Sequence, residues 1–320
     1  MIKPIVWTIA GSDSGGGAGI QADLTVFNNL DTFGCSAITV LTAQNSMGVV
    51  SIQETSAQVM RDQLFCLGSD LPPKAVKLGM LFSEGIMREV VSWLADYKGP
   101  VICDPVMVTT SGDLLLQENA KDYLIAEIIP KSSVVTPNIF ETEVIVGYQV
   151  RTPEKVMQAA QDILALGAKS VLIKGGHGSA TYCHDYWSNG EQDVWISSPR
   201  SPSHNNHGSG CSLSSAITAF VARGESLLDA IVLAKMYINQ GLRLSVQYGA
   251  GPGPLEKQPL RFDDCDLPYV ASTFVEDPAM THASGVQPTE AFLALEDAWL
   301  GVYPVVDSAE WVEKLVPLGI

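Results

Sequence analysis

Short, almost unbroken apolar runs alternate along this chain with longer stretches whose hydrophobic residues recur at helical spacing. Ile5 to Ala10 has strand length and composition, and Ile20, Leu24 and Phe27 then mark one face of a helix. Cys35 to Leu41, Ala75 to Leu78, Val101 to Cys103, Val134-Val135 and Val171 to Ile173 read as further strands. Helical patterns lie between them, as at Ile86 to Leu94 and Val156 to Leu166. Ala180 to Trp187 and Gln192 to Ile196 alternate instead like an antiparallel pair around Ser188-Asn189-Gly190. Leu227 to Leu244 is a long amphipathic helix. Strands that are apolar on both sides and separated by helices predict an α/β fold with a mostly parallel sheet covered on both faces.

Where the polar residues fall says more. Asp104, Thr136, Asn138 and Lys174 each stand at or just beyond the carboxyl end of a predicted strand. Ligands of open α/β sheets bind outside those ends, so the four positions converge on one rim. The stretch Asn205 to Ala216 adds a second feature. Small residues there lead into Leu213, Ile217 and Phe220 on one helix face, with Gly208-Ser209-Gly210 at the entrance. Such an entrance presents unpaired backbone N–H groups and the positive end of the helix dipole, which together hold an anion. Cys211 lies in its first turn, where the dipole is expected to lower the thiol pKa. An anion cradle beside an activatable base suggests phosphoryl transfer to an alcohol; a glycine-rich helix start with a structural cysteine is the plainer alternative.

The loop Gly11 to Gly19 follows the first strand. Gly17-Ala18-Gly19-Ile20-Gln21-Ala22 has the glycine spacing of a dinucleotide fingerprint, but no acidic residue stands about 20 positions on. The Gly-Lys-Ser/Thr ending of a P-loop is missing too, so both labels are rejected. Its glycines still allow a ligand close to the backbone. Asp23 on the following helix and Gln44 after the second strand read, taken alone, as a solvated face and a satisfied turn.

A compact domain is expected to end near Gly249, where Gly249-Ala250-Gly251-Pro252-Gly253-Pro254 breaks the pattern. Residues 250–298 read as a linker or poorly packed extension. Leu300 to Val306 then forms a strand pattern, and Asp307-Ser308 caps a helix carrying Trp311, Leu315 and Leu318. One strand and one helix cannot bury a core alone.

Composition narrows the class. Hydrophobic residues make up 46% of the 320 and charged residues 17%, which describes a core-rich globular protein. A net charge of -16 argues against nucleic-acid binding and repels anionic substrates at long range. A phosphate site must therefore be local, built from amides, a few lysines and metal. The six cysteines form no CxxC pair, which suits a reducing compartment. Cys35, Cys66, Cys103 and Cys183 are expected only to pack. His177 and His207 read as loop-shaping hydrogen bonders, and His184, His204 and His282 as exposed. No apolar run approaches membrane-spanning length and no signal-peptide layout opens the chain, so no membrane partner and a cytoplasmic location are expected.

At this level of detail the chain resembles the hydroxymethylpyrimidine and phosphomethylpyrimidine kinases of thiamin biosynthesis, a branch of the ribokinase-like fold. The likeness spans Ile5 to Gly249. It rests on Thr8 to Asp13 with Gly15 to Asp23, Thr42-Ala43-Gln44-Asn45, Lys77-Leu78-Gly79-Met80, Asp104-Pro105-Val106-Met107, Thr136-Pro137-Asn138 with Glu141, Lys174-Gly175-Gly176-His177 and His207 to Ala216. It implies ATP-dependent phosphorylation of an aminopyrimidine alcohol and then of its monophosphate. By the same likeness Gly11, Asp23 and Gln44 bind the aminopyrimidine, with Met80, Val106 and Met107 in apolar contact with the ring. Asn138 and Glu141, with Asp104, match the magnesium-proximal positions. Lys174 neutralises the transferring phosphate, Gly208, Ser209 and Gly210 hold the developing anion, and Cys211 stands at the position of the catalytic base.

The resemblance further implies ATP and Mg2+, leaves a monovalent cation open, and suggests a homodimer. Two departures stand out: Asn206 and Ser209 occupy positions where the family commonly has Thr, and Ser12-Asp13-Ser14 replaces Asp-Pro-Ser. Leu300 to Gly319 resembles the opening βα unit of thiamin-phosphate synthase, as in a shortened bifunctional chain, and synthase activity is not expected from one unit. A pyridoxal or pyridoxine kinase is the runner-up, disfavoured by Gln44 and the synthase-like end. A pyrimidine-binding module without catalysis is the reading from another class.

Overall fold

A computed structural model of the chain describes residues 2–107, 116–117, 120–176 and 181–279. Its strands are β1 (Ile5–Asp13), β2 (Phe33–Asn45), β3 (Gly48–Glu54), β4 (Ala75–Leu78), β5 (Val101–Cys103), β6 (Val134–Val135), β7 (Val171–Ile173), β8 (Tyr182–Ser188), β9 (Asp193–Pro199) and β10 (Tyr269–Ala271). The helices are α1 (Gly19–Asn29), α2 (Ala57–Asp70), α3 (Glu84–Leu94), α4 (Ala120–Tyr123), α5 (Ile139–Val146), α6 (Pro153–Ala165), α7 (Ser209–Arg223) and α8 (Leu227–Leu244).

The strands form one sheet in the order β10-β9-β8-β7-β6-β5-β4-β1-β2-β3. Its centre, from β2 through β1 and β4 to β7, is parallel. The β3 edge and the β8–β9–β10 flank are antiparallel. From β1 the chain first goes to β2 on one side and later to β4 on the other. That reversal opens a crevice beyond the carboxyl ends of β1 and β4, where ligands of such sheets bind.

Alternation along the central strands distributes their side chains between two cores. Trp7, Ile9, Val76, Leu78, Val101, Cys103 and Val135 pack with α2, α3 and α6 on one face. Val6, Ala75, Ile102, Val134 and Leu172 pack with α1, α7 and α8 on the other. The ends of the helices are set by local chemistry. Ser56, Ser83, Thr152 and Ser226 cap α2, α3, α6 and α8 through their hydroxyls. Gly224 stops α7 in a left-handed turn whose N–H reaches back to Phe220 and Val221.

The expected elements are present, with β1 running on through Gly11 to Asp13 and β3 an unforeseen edge strand. The boundary at Gly249 is corrected. Residues beyond it stay on the domain: Pro254 bridges to His207, Leu255 is buried in the second core, and β10 pairs with β9. Periodicity missed this segment because it packs by single anchors and a three-residue strand. The βα unit at 299–320 and His177 lie outside the described residues. No helix among the described residues is long and apolar enough to cross a membrane.

Candidate active site

A cavity of about 800 Å³ opens at the carboxyl rim of the sheet, lined among others by Gly11, Gln44, Met80, Asp104, Asn138, Lys174 and the entrance of α7. Its geometry begins with Asp13. That carboxylate accepts the N–H groups of Gly15 at 2.8 Å and Ala18 at 2.9 Å, folding the glycine loop back on β1. It also lies 3.2 Å from His207 Nε2. Burial alone would raise the Asp13 pKa, but the His207 hydrogen bond and the Ala18 and Gly15 amides outweigh it and hold the carboxyl below its ordinary value. His207 is thus a loop-shaping residue, as its sequence context suggested.

The entrance of α7 is made by Gly208, whose φ of +75° is left-handed and whose Cα abuts the Gly17 carbonyl closely enough to exclude any Cβ. Intrahelical bonding begins with the Ser212 N–H on Gly208 at 2.9 Å. The N–H groups of Gly210 and Cys211 find no acceptor among the described residues. Both residues line the cavity, as do Gly208 and Ser209, so the α7 entrance forms a cradle of amides facing that space. A Cβ on Gly210 would stand 3.3 Å from Lys174 Nζ, which brings that ammonium against the cradle.

Lys174 in turn pairs with Asp104 at 2.8 Å. Burial would lower its pKa, but Asp104, Glu141 and Cys211 overcome that and keep the ammonium charged. Asn138 caps α5 by accepting the Glu141 N–H, while Glu141 accepts the Asn138 N–H, each at 2.8 Å. Burial pushes the Glu141 carboxyl up to about 7; Lys174 opposes this and Asp104 adds to it. The rim convergence expected of Asp104, Asn138 and Lys174 is therefore real, and Thr136 joins it by a 3.3 Å hydrogen bond to Asp104.

At the other end Gly11, Gln44, Met80 and Val106 line the cavity. Gln44 is held by its backbone to the Ser14 hydroxyl at 2.8 Å, and its side-chain NH2 has no partner among the described residues.

Three expectations need correction. Asp23 does not line the cavity: it is wholly buried, and its oxygens are taken by Thr8, Ser215 and Lys77. Met107 belongs to the core beneath the rim, packed in the first hydrophobic cluster, whereas Val106 faces the cavity wall. The Cys211 thiol is shifted the other way from the dipole argument. Burial pushes it up; Lys77 and the Gly19 N–H pull it down, and Asp23 and Asp104 push it further up. The desolvation of a sulfur set in the cavity wall is the largest cause of the shift.

Other residues went unrecognised. Lys77 is fully buried yet reaches the cavity; a lysine inside the apolar run Ala75 to Leu78 was a signal that could have been used. Lys235 and Asp185 pair at 2.6 Å near Cys183, which lines the cavity and lies 3.3 Å from Lys235. Cys183 therefore does more than pack, and Cys66 is exposed. His184 is half-buried and bonded to Ser197 instead of exposed.

An open, mostly parallel α/β sheet with an amide cradle, a lysine and a carboxylate pair at its rim defines a small-molecule kinase of ribokinase-like architecture. Solved structures agree. Phosphomethylpyrimidine kinase from Clostridium difficile superposes with a TM-score of 0.67 at 39% identity, covering 74% of this chain and 99% of that one. Pyridoxal kinase from Staphylococcus aureus in complex with ADP gives 0.78 at 30% identity, covering 86% and 100%. The profile described as phosphomethylpyrimidine kinase matches residues 13–256. Hydroxymethylpyrimidine/phosphomethylpyrimidine kinase of Rhizobium meliloti is 41% identical over 253 residues, 78% of this chain and 95% of that protein. The thiamine biosynthesis bifunctional protein ThiED of Geobacter sulfurreducens is 42% identical over 251 residues, 78% of this chain and 51% of that protein. The chain belongs to the phosphomethylpyrimidine kinase family.

Proposed function

We propose that this protein uses ATP to phosphorylate 4-amino-5-hydroxymethyl-2-methylpyrimidine and then its monophosphate. The observation that carries the reading is the placement of Cys211, the Gly210 and Cys211 amides, without an acceptor among the described residues, and the Lys174–Asp104 pair around one cavity. Gln44 offers an amide to the polar edge of the ring, Gly11 lets the ring approach the backbone, and Met80 and Val106 supply apolar contact. The γ-phosphoryl group lies against the α7 entrance, where amides and Lys174 meet the charge that develops on its oxygens. Cys211 accepts the hydroxyl proton as the alcohol attacks.

Asp104, Asn138 and Glu141 suit Mg2+. The Asp104 and Glu141 carboxylates and the Asn138 amide oxygen keep acceptor capacity beyond the bonds already made, and a cation would compensate a Glu141 whose charge is costly by burial. When bound, Mg2+ screens the nucleotide phosphates. The chain's own part is to orient those oxygens through the α5 capping box and Lys174.

A homodimer is proposed as well: β3 is a sheet edge, and Leu41, Met47 and Val50 beside it are exposed apolar residues. Sedimentation at micromolar concentration tests it, and a monomer would refute it. That residues 299–320 are the first βα unit of an incomplete thiamin-phosphate-synthase-like barrel is proposed too, on the likeness of Leu300 to Gly319 to such a unit.

The superposition on pyridoxal kinase favours pyridoxal as the second substrate reading. Product mass analysis after incubation with Mg-ATP and either the aminopyrimidine alcohol or pyridoxal separates the two. The pyrimidine mono- and diphosphates are expected; phosphorylated pyridoxal alone would reverse the reading, and no phosphoryl transfer to either would favour a binding module.

A further inference from the structure

The cavity wall contains a buried cation that the reaction outlined above does not use. Lys77 sits on β4 with its side chain inaccessible, its ammonium 2.8 Å from Asp23 Oδ2. The same oxygen accepts the Thr8 hydroxyl at 2.6 Å, and Asp23 Oδ1 accepts the Ser215 hydroxyl at 2.7 Å. Ser215 lies on α7 one turn beyond Cys211, and positions four apart share a helix face. A continuous set of polar contacts thus runs from Lys77 through Asp23 to the face of α7 that carries the sulfur. Lys77 and Cys211 both line the cavity. A buried ion pair is at best weakly stabilising compared with apolar side chains of the same volume, so stability gives little reason for this one.

We propose that Lys77, fixed in place by Asp23, Thr8 and Ser215, is the positioning residue whose charge lets Cys211 release its proton inside the cavity. The inference rests on Cys211 being the base. The charged groups that act on the sulfur are Lys77 from β4, Asp23 from α1, Asp104 beyond β5, Lys174 beyond β7 and Lys257 from the segment after α8, with the Gly19 N–H donating to it. Asp23 and Asp104 oppose the thiolate. Lys174 is engaged with Asp104 and the cradle. Lys257 is held by the Gly17 and Leu255 carbonyls, each at 3.2 Å, and burial depresses its own pKa. Lys77 keeps its charge because Asp23, joined by Cys211 and Asp104, outweighs the cost of burial.

In the transfer step the thiolate takes the hydroxyl proton and the freed oxygen pair forms the bond to the γ-phosphorus. The bond from that phosphorus to the bridging oxygen breaks, and its electrons leave with ADP. The thiol then returns the proton to solvent. Lys77 gives up no proton at any stage.

The test is the pH dependence of iodoacetamide alkylation at Cys211, read on its own peptide by mass spectrometry, in full-length protein. Lys77→Met is expected to move the midpoint to higher pH and to slow alkylation at pH 7 about tenfold. The rising limb of kcat should move the same way with KM for the pyrimidine alcohol unchanged. Since Lys77→Met strands the Asp23 carboxylate, the Asp23→Asn/Lys77→Met double variant is measured beside it, with a smaller move to higher pH expected. A wild-type midpoint in folded Lys77→Met, or in the double variant where the single does not fold, overturns the proposal. Wild-type kcat in Cys211→Ala would instead overturn the base assignment, leaving the alkylation midpoints to report on Lys77 separately.

Discussion

His207 Nε2 lies 3.2 Å from an Asp13 carboxylate oxygen, joining turns 194 positions apart in the chain. One turn leaves the first strand of the sheet and the other opens α7. Their junction fixes how far the glycine loop stands from the α7 entrance, and, on the proposed function, the gap between acceptor and phosphoryl group. Placement errors of about 1 Å are enough to cost about 100-fold in rate. Asp13→Asn, which keeps the size but loses the charge-assisted bond, should lower kcat/KM for the alcohol by about 10–100-fold. Steady-state kinetics at saturating ATP provides the check, and unchanged kinetics would mean that the junction is ornamental.

Removing the sulfur tests the chemistry more directly. Cys211→Ala should reduce kcat by about 10²–10⁴-fold, the usual contribution of a positioned base. Pyrimidine binding by calorimetry should stay near wild type, since the proposed ring contacts lie at Gly11, Gln44, Met80 and Val106. Because burial pushes this thiol above its ordinary pKa, wild-type kcat should still be rising on the alkaline side of neutrality. A rate that falls there with a thiol-range midpoint would contradict a base that must be deprotonated to act.

Glu141 makes a prediction about stability. Its folded carboxyl titrates at about 7 against an ordinary 4.5, so the folded state binds the proton more tightly than the unfolded chain. Its contribution is fully present below about pH 4.5 and is lost as pH rises through about 7, by about 3 kcal/mol. Glu141→Gln, which can still accept the Asn138 N–H, removes that titration. Without magnesium or nucleotide, urea unfolding should show the variant gaining on wild type between pH 5 and pH 8. An equal difference at the two pH values would place the carboxyl's titration elsewhere.

Leu255 tests where the domain ends. It is 2% exposed and packs in the core formed with α1, α7 and α8. Leu255→Ala should therefore cost about 2–5 kcal/mol in chemical denaturation, in a single transition. A change within about 0.5 kcal/mol, typical of surface positions, would return residues beyond Gly249 to the status of a linker.

Much of the fold was legible because parallel strands buried on both faces leave compact apolar signatures. Ala75 to Leu78, Val101 to Cys103, Val134-Val135 and Val171 to Ile173 coincide with β4 to β7. The rim residues Asp104, Asn138 and Lys174 followed from them, because a polar residue ending a buried strand has few places to be other than the open edge of the sheet. β3 was missed since an edge strand carries mixed polarity, as Val50 and Glu54 show, and β10 because three residues are too few to make a pattern.

The linear order of residues thus determined the layered architecture, the strand ends and the glycine cradle of α7, all of which depend on local spacing and backbone freedom. It left undecided whether a polar side chain faces ligand or protein. Asp23 and Gln44 both sat in matching motifs, yet the fold turns Asp23 inward onto Thr8, Lys77 and Ser215 and leaves Gln44 at the cavity. Likewise the helix dipole at Cys211 is a local property, whereas its desolvation depends on everything packed around it. Burial and long-range charge arise only when distant segments meet, so only the tertiary structure decides them.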